Sequence, residues 1–402
     1  MNAAPKRKLT IAVVFGGRSV EHDVSVVTGN QIIKAFEASG HEIIPLYITR
    51  DGRWYIGEAL GDLNNYKNEI TSHKGVEQVL LSPATNHHGL IVNPVVGRFQ
   101  KNAVKRIDVV FPAVHGSHGE DGTLQGLCEL ADVPYVGCGV LASALANDKI
   151  MTKTVLRQVG IPVVPDVAFS RADWIANPDT ILAKINSQLQ YPVFVKPATL
   201  GSSIGVGRVE DEAMLRLSIE IALRFDRRVL VEQAVTNCKE INCSVMGYGD
   251  GIRPSVLEQP VSWQEYLTYE EKYMRGNEGM KSAERLIPAP IGEIWTQRIQ
   301  QYAVDAFKAI DGHGIARIDF LMRDDEVFLN EINTMPGSLA LYLWRETGLS
   351  SLDVVMHLVE IAQETHAEKR RNTYDYQTDL ISITASRGLK GVKGTKQSTA
   401  AV

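Results

Sequence analysis

The chain has few cysteines: four in 402 residues, at positions 128, 138, 238 and 243. They form neither a CxxC pair nor a metal-finger spacing, which excludes a disulfide scaffold and fits free thiols in a reducing compartment. No apolar run approaches the roughly 18 residues a membrane helix needs. Lys6-Arg7-Lys8 stands before an apolar run, Ile11 to Phe15, but that run breaks at Gly16-Gly17. It is too short for the core of a secretion signal and reads as a first strand. A basic excess is also missing, since the net charge is −5, so nothing argues for nucleic acid. Gly16-Gly17 is not GxGxxG, no Gly-Lys-Ser/Thr closes a Walker loop, and no internal repeat is visible. These absences leave a cytoplasmic protein with no membrane and no nucleic-acid partner as the expectation.

With 44% hydrophobic and 22% charged residues, the composition is ordinary for a globular chain long enough for two or three domains. Residues 9–15 read as a buried parallel strand, followed by a helix with Ser19 as N-cap and Glu21 in its first turn. Glu21 is either a partner for the helix dipole or a carboxylate able to receive an ammonium group. A strand over 42–47 follows, then a loop-rich stretch from 51 to 104. The strand at 107–111 leads into Pro-Ala-Val-His115-Gly-Ser-His118-Gly-Glu120-Asp121-Gly, the polar, glycine-rich exit of a ligand-facing strand in an open α/β sheet.

A second unit begins with a helix carrying Asp148, Lys149 and Lys153. The strand 191–196 ends in Lys196 and opens onto Pro197-Ala-Thr-Leu-Gly201-Ser202-Ser203-Ile-Gly205-Val-Gly207. Backbone N–H groups of such a loop can wrap phosphate oxygens while the lysine adds charge. The strand 227–233 carries Glu232 and Gln233 at its exit, with Glu240 a few residues on; near a nucleotide such acids suit ribose hydroxyls and an adenine amino group. Aromatics interleaved with charge (Trp263, Tyr266, Tyr269, Lys272, Tyr273) read as a lid or as a solvated loop pinned by its rings.

The stretch from Arg317 to Gly337 reads as a β-hairpin with its turn at Arg323-Asp324-Asp325-Glu326. Alternation puts Arg317 and Asp319 on one face and makes Glu331 and Asn333 point together. Asp, Glu and an Asn amide are hard oxygen ligands of the kind Mg²⁺ takes, and an Arg two residues from the Asp can neutralise a developing oxyanion. The plainer alternative is an edge hairpin with a solvated polar face.

Six motifs now stand in order. They are Phe-Gly-Gly-Arg-Ser-Val-Glu21-His, His115-Gly with Gly-Glu-Asp-Gly-Thr-Leu-Gln-Gly, Lys196-Pro with Gly-Ser202-Ser203-Ile-Gly-Val, Tyr269-Glu-Glu-Lys272-Tyr273, Arg317-Ile-Asp319, and Asn330-Glu331-Ile-Asn333-Thr-Met-Pro-Gly337. In this the chain resembles the D-alanine–D-alanine ligases of the ATP-grasp superfamily, over about 11–363. The resemblance implies an α/β protein, α+β in parts, with three ATP-grasp domains. These are a Rossmann-like open parallel sheet over 1–140, a nucleotide-clamping α+β domain over 141–233, and an α+β domain with lid and metal hairpin over 234–366. Residues 367–402 are expected to be a disordered basic tail.

The resemblance also implies roles. Glu21 binds the first D-alanine and forms a triad with Ser202 and Tyr273, while His115, Ser338 and Leu339 contribute to substrate binding. Lys149, Lys196, Ser202, Ser203 and Lys272 meet ATP, and Glu232, Gln233, Val235 and Glu240 meet its adenosine part. Asp319, Glu331 and Asn333 hold two Mg²⁺, replaceable by Mn²⁺, and Arg317 with the Gly337 N–H stabilises the tetrahedral oxyanion. A homodimer is implied as well. One departure bears on the acceptor: the family pattern has about four more residues between its Pro-Gly and Ser-Leu pairs, whereas Gly337 here runs straight into Ser338-Leu339. The alternative is therefore a sister ligase joining D-alanine, or another amino acid, to a different acceptor.

Overall fold

The computed structural model describes residues 7–93, 102–201, 204–261, 284–374 and 378–387. Expectations for Ser202, Ser203, Lys272, Tyr273 and the rest of the lid lie outside those residues, as do Lys390, Lys393 and Lys396 of the tail. Among the described residues no helix is long and apolar enough to cross a membrane.

The first sheet has the order β6-β5-β4-β3-β2-β1-β7. β1 (Thr10–Gly16) is its centre, parallel to β2 (Glu42–Ile48) and β7 (Val109–Pro112). Every residue from Ile11 to Phe15 is fully buried, the pattern of a strand covered on both faces. Ile11, Val13 and Phe15 pack on the side of α1 (His22–Ala35), and Ala12 and Val14 pack toward α2 (Thr123–Leu130). The expected parallel sheet is mixed. β3 (Trp54–Ile56), β4 (Glu77–Leu81), β5 (Gly89–Val92) and β6 (Ala103–Arg106) extend it antiparallel from β2, inside the stretch expected to be loops. They are three to five residues long and separated by polar turns, so their period-2 signal is short. The start of α1 is also corrected: Glu21, not Ser19, occupies the cap position, and the Ser19 hydroxyl accepts from the Glu21 N–H.

α3 (Val140–Asn147) and α4 (Lys149–Gln158) are separated at Asp148, whose carboxylate accepts from the N–H groups of Ile150 and Met151. The second sheet, β10-β9-β11-β8, is antiparallel throughout. It comprises β8 (Asp166–Ser170), β9 (Val193–Pro197), β10 (Gly207–Val209) and β11 (Arg228–Gln233). α5 (Arg171–Ala176), α6 (Pro178–Gln188) and α7 (Glu212–Phe225) supply its apolar cover, with Ile185, Leu215 and Ile219 at the centre.

The third sheet, β14-β13-β12-β15-β16, is built from β12 (Lys239–Gly247), β13 (Arg253–Val261), β14 (Glu284–Leu286), β15 (Gly314–Arg323) and β16 (Glu326–Asn333). One face, with Ile241, Cys243, Ile318 and Phe320, packs on α8 (Glu293–Ala309), α3 and α4. α9 (Leu341–Glu346) and α10 (Ser351–Lys369) return to the first sheet, so Trp344, Val354 and Leu358 share a core with Ile11 and Phe15. The tail expectation is corrected in part. α10 continues to Lys369, which pairs with Glu129, and His366 meets Asp132 at 2.9 Å. Residues Leu380–Arg387 form α11.

Candidate active site

A wall of cations forms where α4 meets the second sheet. Lys153, 2% exposed, is one turn beyond Lys149 on α4, so both face β9 and β11. Its Nζ lies 2.7 Å from Glu232 Oε1 and donates to the Val164 carbonyl at 3.1 Å. Lys196, at the end of β9, pairs with the other oxygen of the same carboxylate. Burial works against the Glu232 charge, but Lys153 and Lys196 overcome it and hold the carboxyl down at about 2. Burial in turn brings the Lys153 ammonium down to about 8. Lys149 donates to the Leu200 carbonyl at 2.7 Å, while its own N–H reaches the Ala198 carbonyl at 2.9 Å. Burial lowers Lys149 too, and the strongest acid opposing that effect is Glu331, from the third sheet. Lys153 also stands 3.8 Å from Asp166, which pairs with Arg157 as well; among the described residues Lys149, Lys153, Lys196 and Arg157 outnumber Glu232 and Asp166 and leave this wall short of negative charge.

The facing wall is the hairpin β15–β16, and a bulge sets its geometry. From the turn inward the pairs run Arg323↔Glu326, Met322↔Val327, Leu321↔Phe328 and Phe320↔Leu329. Regular continuation places Asp319 opposite Asn330, with Glu331 on the other face. The register shifts at that point, so Asp319 pairs with Glu331 and Arg317 with Asn333. One extra residue therefore puts all four polar side chains on one face. Arg317 holds Asp319 with two bonds of 2.7 Å, from Nε and from Nη2. Asn333 Nδ2 lies 3.0 Å from Asp319 Oδ2 and 3.4 Å from Glu331 Oε1. Burial pushes the Asp319 carboxyl up; Arg317 opposes this, and nearby Glu331 and Glu258 add to it. Among the described residues Arg317 and Arg285 stand here against three acids, Asp319, Glu331 and Glu258.

The donor set fits a hard divalent cation. Among the described residues no three His, Cys, Asp or Glu side chains are grouped to hold a metal; besides the two carboxylates, the oxygen available from the hairpin is the Asn333 amide. A half-turn of the Asn333 amide exchanges its NH₂ for its oxygen. On the other side of Asp319, Asn242 of β12, 4% exposed, carries an Oδ1 with no hydrogen-bond partner among the described residues. Two carboxylates, a neighbouring amide and a spare buried oxygen are hard oxygen donors, as Mg²⁺ prefers.

The first sheet closes the cleft from the side. Glu21, 9% exposed, aims at the loop after β9: a Cβ on Gly201 would stand 3.8 Å from its Oε1. Gly116 is as close on the other side and leaves no room for a side chain, since its Cβ would meet Glu21 Oε2 at 2.8 Å. His115 spends both ring nitrogens on the protein, Nε2 on Thr28 Oγ1 at 2.9 Å and Nδ1 on Glu120 Oε1 at 3.2 Å. Thr28 Oγ1 in turn accepts from the Ser338 N–H at 3.4 Å. The segment after Gly337 is thereby tied to α1.

Other expected residues sit differently. The Gln233 side chain is turned onto Gln190, accepting from its N–H at 2.6 Å. Leu339 is fully buried in the core shared with Trp344. Glu240 is exposed at the start of β12, and Val235 is half-buried beyond β11. Lys153, Thr28, Asn242 and Glu258 were not singled out as site residues from sequence. For Asn242 a signal exists: Glu240, Asn242 and Ser244 alternate with the apolar Ile241, Cys243 and Val245, marking a polar face on a central strand.

Comparisons with known proteins give the family. The family model for the D-Ala–D-Ala ligase N-terminus matches residues 10–138, and that for the C-terminus matches 155–360. D-alanine–D-alanine ligases of Bacillus cytotoxicus and Natranaerobius thermophilus are 39% and 37% identical over 376 residues, covering 91% and 92% of this chain and 99% of each relative. Among solved structures, the VanG D-Ala:D-Ser ligase of Enterococcus faecalis matches with a TM-score of 0.77 at 31% identity, over 89% of this chain and 100% of that one. The D-alanine–D-alanine ligase of Coxiella burnetii also gives 0.77, at 29% identity over 94% and 99%. The chain therefore belongs to the D-alanine–D-alanine ligase family, ATP-dependent carboxylate–amine ligases of three-domain ATP-grasp architecture.

Proposed function

We propose that this protein joins two D-alanine molecules at the expense of ATP, giving D-alanyl-D-alanine, ADP and phosphate for peptidoglycan precursors. The observation that carries the reading is the pair of facing walls, one short of negative charge and the other short of positive charge. A triphosphate with its divalent cations, two Mg²⁺ or Mn²⁺, satisfies both. Asp319, Glu331 and Asn333 would hold the cations, which supply charge neutralisation during phosphoryl transfer. Lys149 and Lys196 meet the phosphates. Glu21 receives the ammonium of the first D-alanine, whose carboxylate attacks the γ-phosphorus as ADP leaves. The second amine then attacks the acylphosphate carbonyl and phosphate departs. Arg317 and the Gly337 N–H offset the charge on the oxyanion in between. Its setting would be the cytoplasm, as a homodimer; the absence of a disulfide among the described cysteines, three of which are buried, supports a reducing compartment.

Purified protein given ATP, Mg²⁺ and D-alanine is expected to release ADP and phosphate in equal amounts and to form the dipeptide. AMP and pyrophosphate as products would rule the reading out. A second acceptor is favoured by one observation. Ser338, Leu339 and Ala340 form a left-handed turn directly after Gly337, and one structural neighbour is a D-Ala:D-Ser ligase. An acceptor screen by mass spectrometry decides between D-alanine, D-serine and others.

A further inference from the structure

The register of the third sheet lines up four polar side chains in one rung. On β13, β12, β15 and β16 respectively, Glu258 pairs with Asn242, Asn242 with Asp319, and Asp319 with Glu331. Residues directly opposite on neighbouring strands project from the same face with Cβ atoms about 4.5–5.5 Å apart. Asp319 and Glu331 have a proposed task, whereas Asn242 and Glu258 have none. Both are buried, at 4% and 1% exposure.

Glu258 decides which way the Asn242 amide faces. Its Oε1 pairs with Arg285 at 3.0 Å and its Oε2 accepts from the Tyr342 hydroxyl at 2.5 Å, so the carboxylate is fixed. Asn242 Nδ2 lies 3.5 Å from Oε2. A carboxylate can only accept, so the amide must turn its NH₂ toward Glu258 and its oxygen away. β12 lies between β13 and β15, so the side away from Glu258 is the side of Asp319. That oxygen is the one left without a partner. A buried acceptor left unsatisfied is destabilising, and such an atom calls for a specific explanation.

We propose that Asn242 Oδ1 is a further oxygen donor to the cation held by Asp319 and Glu331, with Glu258 as the residue that orients it. This rests on the ligase reading above for the presence of the cation. A neutral amide oxygen adds coordination without adding charge to a corner that already carries two carboxylates. Outer partners of metal ligands typically change affinity by about 10–100-fold when removed, by loosening ligand orientation. Glu258 acts in that capacity, and Tyr342 with Arg285 pins it.

The test is binding of Mn²⁺ to the full-length protein with saturating ADP, read from the EPR signal of free Mn²⁺. Asn242→Leu keeps the volume and removes the orphaned oxygen. It is expected to unfold at the same or a higher temperature while binding Mn²⁺ about tenfold more weakly. Asn242→Asp keeps an oxygen at the same place and is expected to bind at least as tightly as the parent. Glu258→Gln can offer its own amide NH₂ to Asn242 and is expected to weaken binding by a smaller factor. Parental affinity in Asn242→Leu overturns the proposal. So does a loss of affinity in Asn242→Asp equal to that in Asn242→Leu, which would mean that packing alone is at stake. Failure of the parent protein to take up Mn²⁺ with ADP is a different result, because it removes the metal-dependent ligase reading itself.

Discussion

The two walls of the cleft solve opposite electrostatic problems with different parts of the fold. On the lysine wall, Glu232 is shared by Lys153 and Lys196, and Lys149 reaches across two backbone carbonyls of the following loop. On the hairpin wall, Arg317 is shared by a carboxylate that also has Asn333 and Glu331 against it. In the first, the enclosed Lys153 lies behind the less buried Lys149 and Lys196; in the second, the buried Asp319 lies behind the half-buried Glu331. The two signs of charge sit on different elements, so a polyanion with counter-cations entering between them would neutralise both, and on the hairpin side it is the register that sets the imbalance.

The sharpest way to break that comparison is to remove the hairpin's surplus charge. Glu331→Gln keeps shape and hydrogen bonding but deletes a proposed metal ligand. Turnover is expected to fall by more than the roughly 10–100-fold typical of outer-shell changes, with circular dichroism and unfolding temperature close to the parent. Near-parental phosphate release in this variant would mean that the acid surplus has no part in the reaction.

On the opposite wall two lysines touching one carboxylate are expected to behave differently. Lys153 is enclosed and also satisfies the Val164 carbonyl. Lys153→Met should therefore cost about 3 kcal/mol, the low end for breaking a buried pair because Lys196 remains. Lys196, more exposed at 15% of its side chain, is expected to show its loss mainly as a raised KM for ATP. Urea unfolding and ATP kinetics on both variants check this division. Equal stability losses would mean that Lys196 is structural too.

Acid sharpens the same point. The Glu232 carboxyl stands at about 2 in the fold, against an ordinary 4.5. A depressed carboxyl contributes stability that is complete above pH 4.5 and drains away as pH falls toward 2. Between those limits the parent is expected to lose stability that Glu232→Gln does not have to lose. Denaturant midpoints measured from pH 5 to pH 2 should therefore converge for the two proteins. Parallel curves would show that Glu232 is not held charged by its lysines.

Much of this was legible in the sequence where the signal is local. The β1 run, the Asp-Asp turn of the hairpin and the lysine ending β9 each follow from a few adjacent residues. The pairing of Asp319 with Glu331 was not, because it depends on the bulge at Asn330, and alternation within each strand says nothing about register between them. Asn242 and Glu258 were hidden for the same reason: their meaning comes from strands that are distant in the chain and adjacent in the sheet. Lys153 was visible as a lysine one helical turn from Lys149, but only the placement of β11 supplies Glu232. β3 to β6 were missed since each offers too few alternations to stand out from a loop.

The smallest effect concerns how the acceptor side is held. Ser338, Leu339 and Ala340 have φ of 50°, 52° and 49°, three consecutive L-residues in the left-handed region. Each such residue costs about 1–2 kcal/mol, so other contacts must hold the turn. They are found at its first two positions: the Ser338 N–H on Thr28, the Leu339 N–H on the Pro336 carbonyl at 2.9 Å, and the Leu339 side chain in the core. Ala340 has no comparable polar anchor in that set. Ala340→Gly removes the left-handed cost, offset by roughly 0.5–1 kcal/mol for the greater freedom of glycine in the unfolded chain. Ala340 is fully buried, so losing its methyl costs a further roughly 0.8 kcal/mol; the net expectation is a stability within about 1 kcal/mol of the parent, with the acceptor KM unchanged because the anchors at Ser338 and Leu339 remain. A rise in acceptor KM with unchanged stability would show instead that the stiffness of the third residue positions Ser338, and would make the turn itself the determinant of acceptor choice.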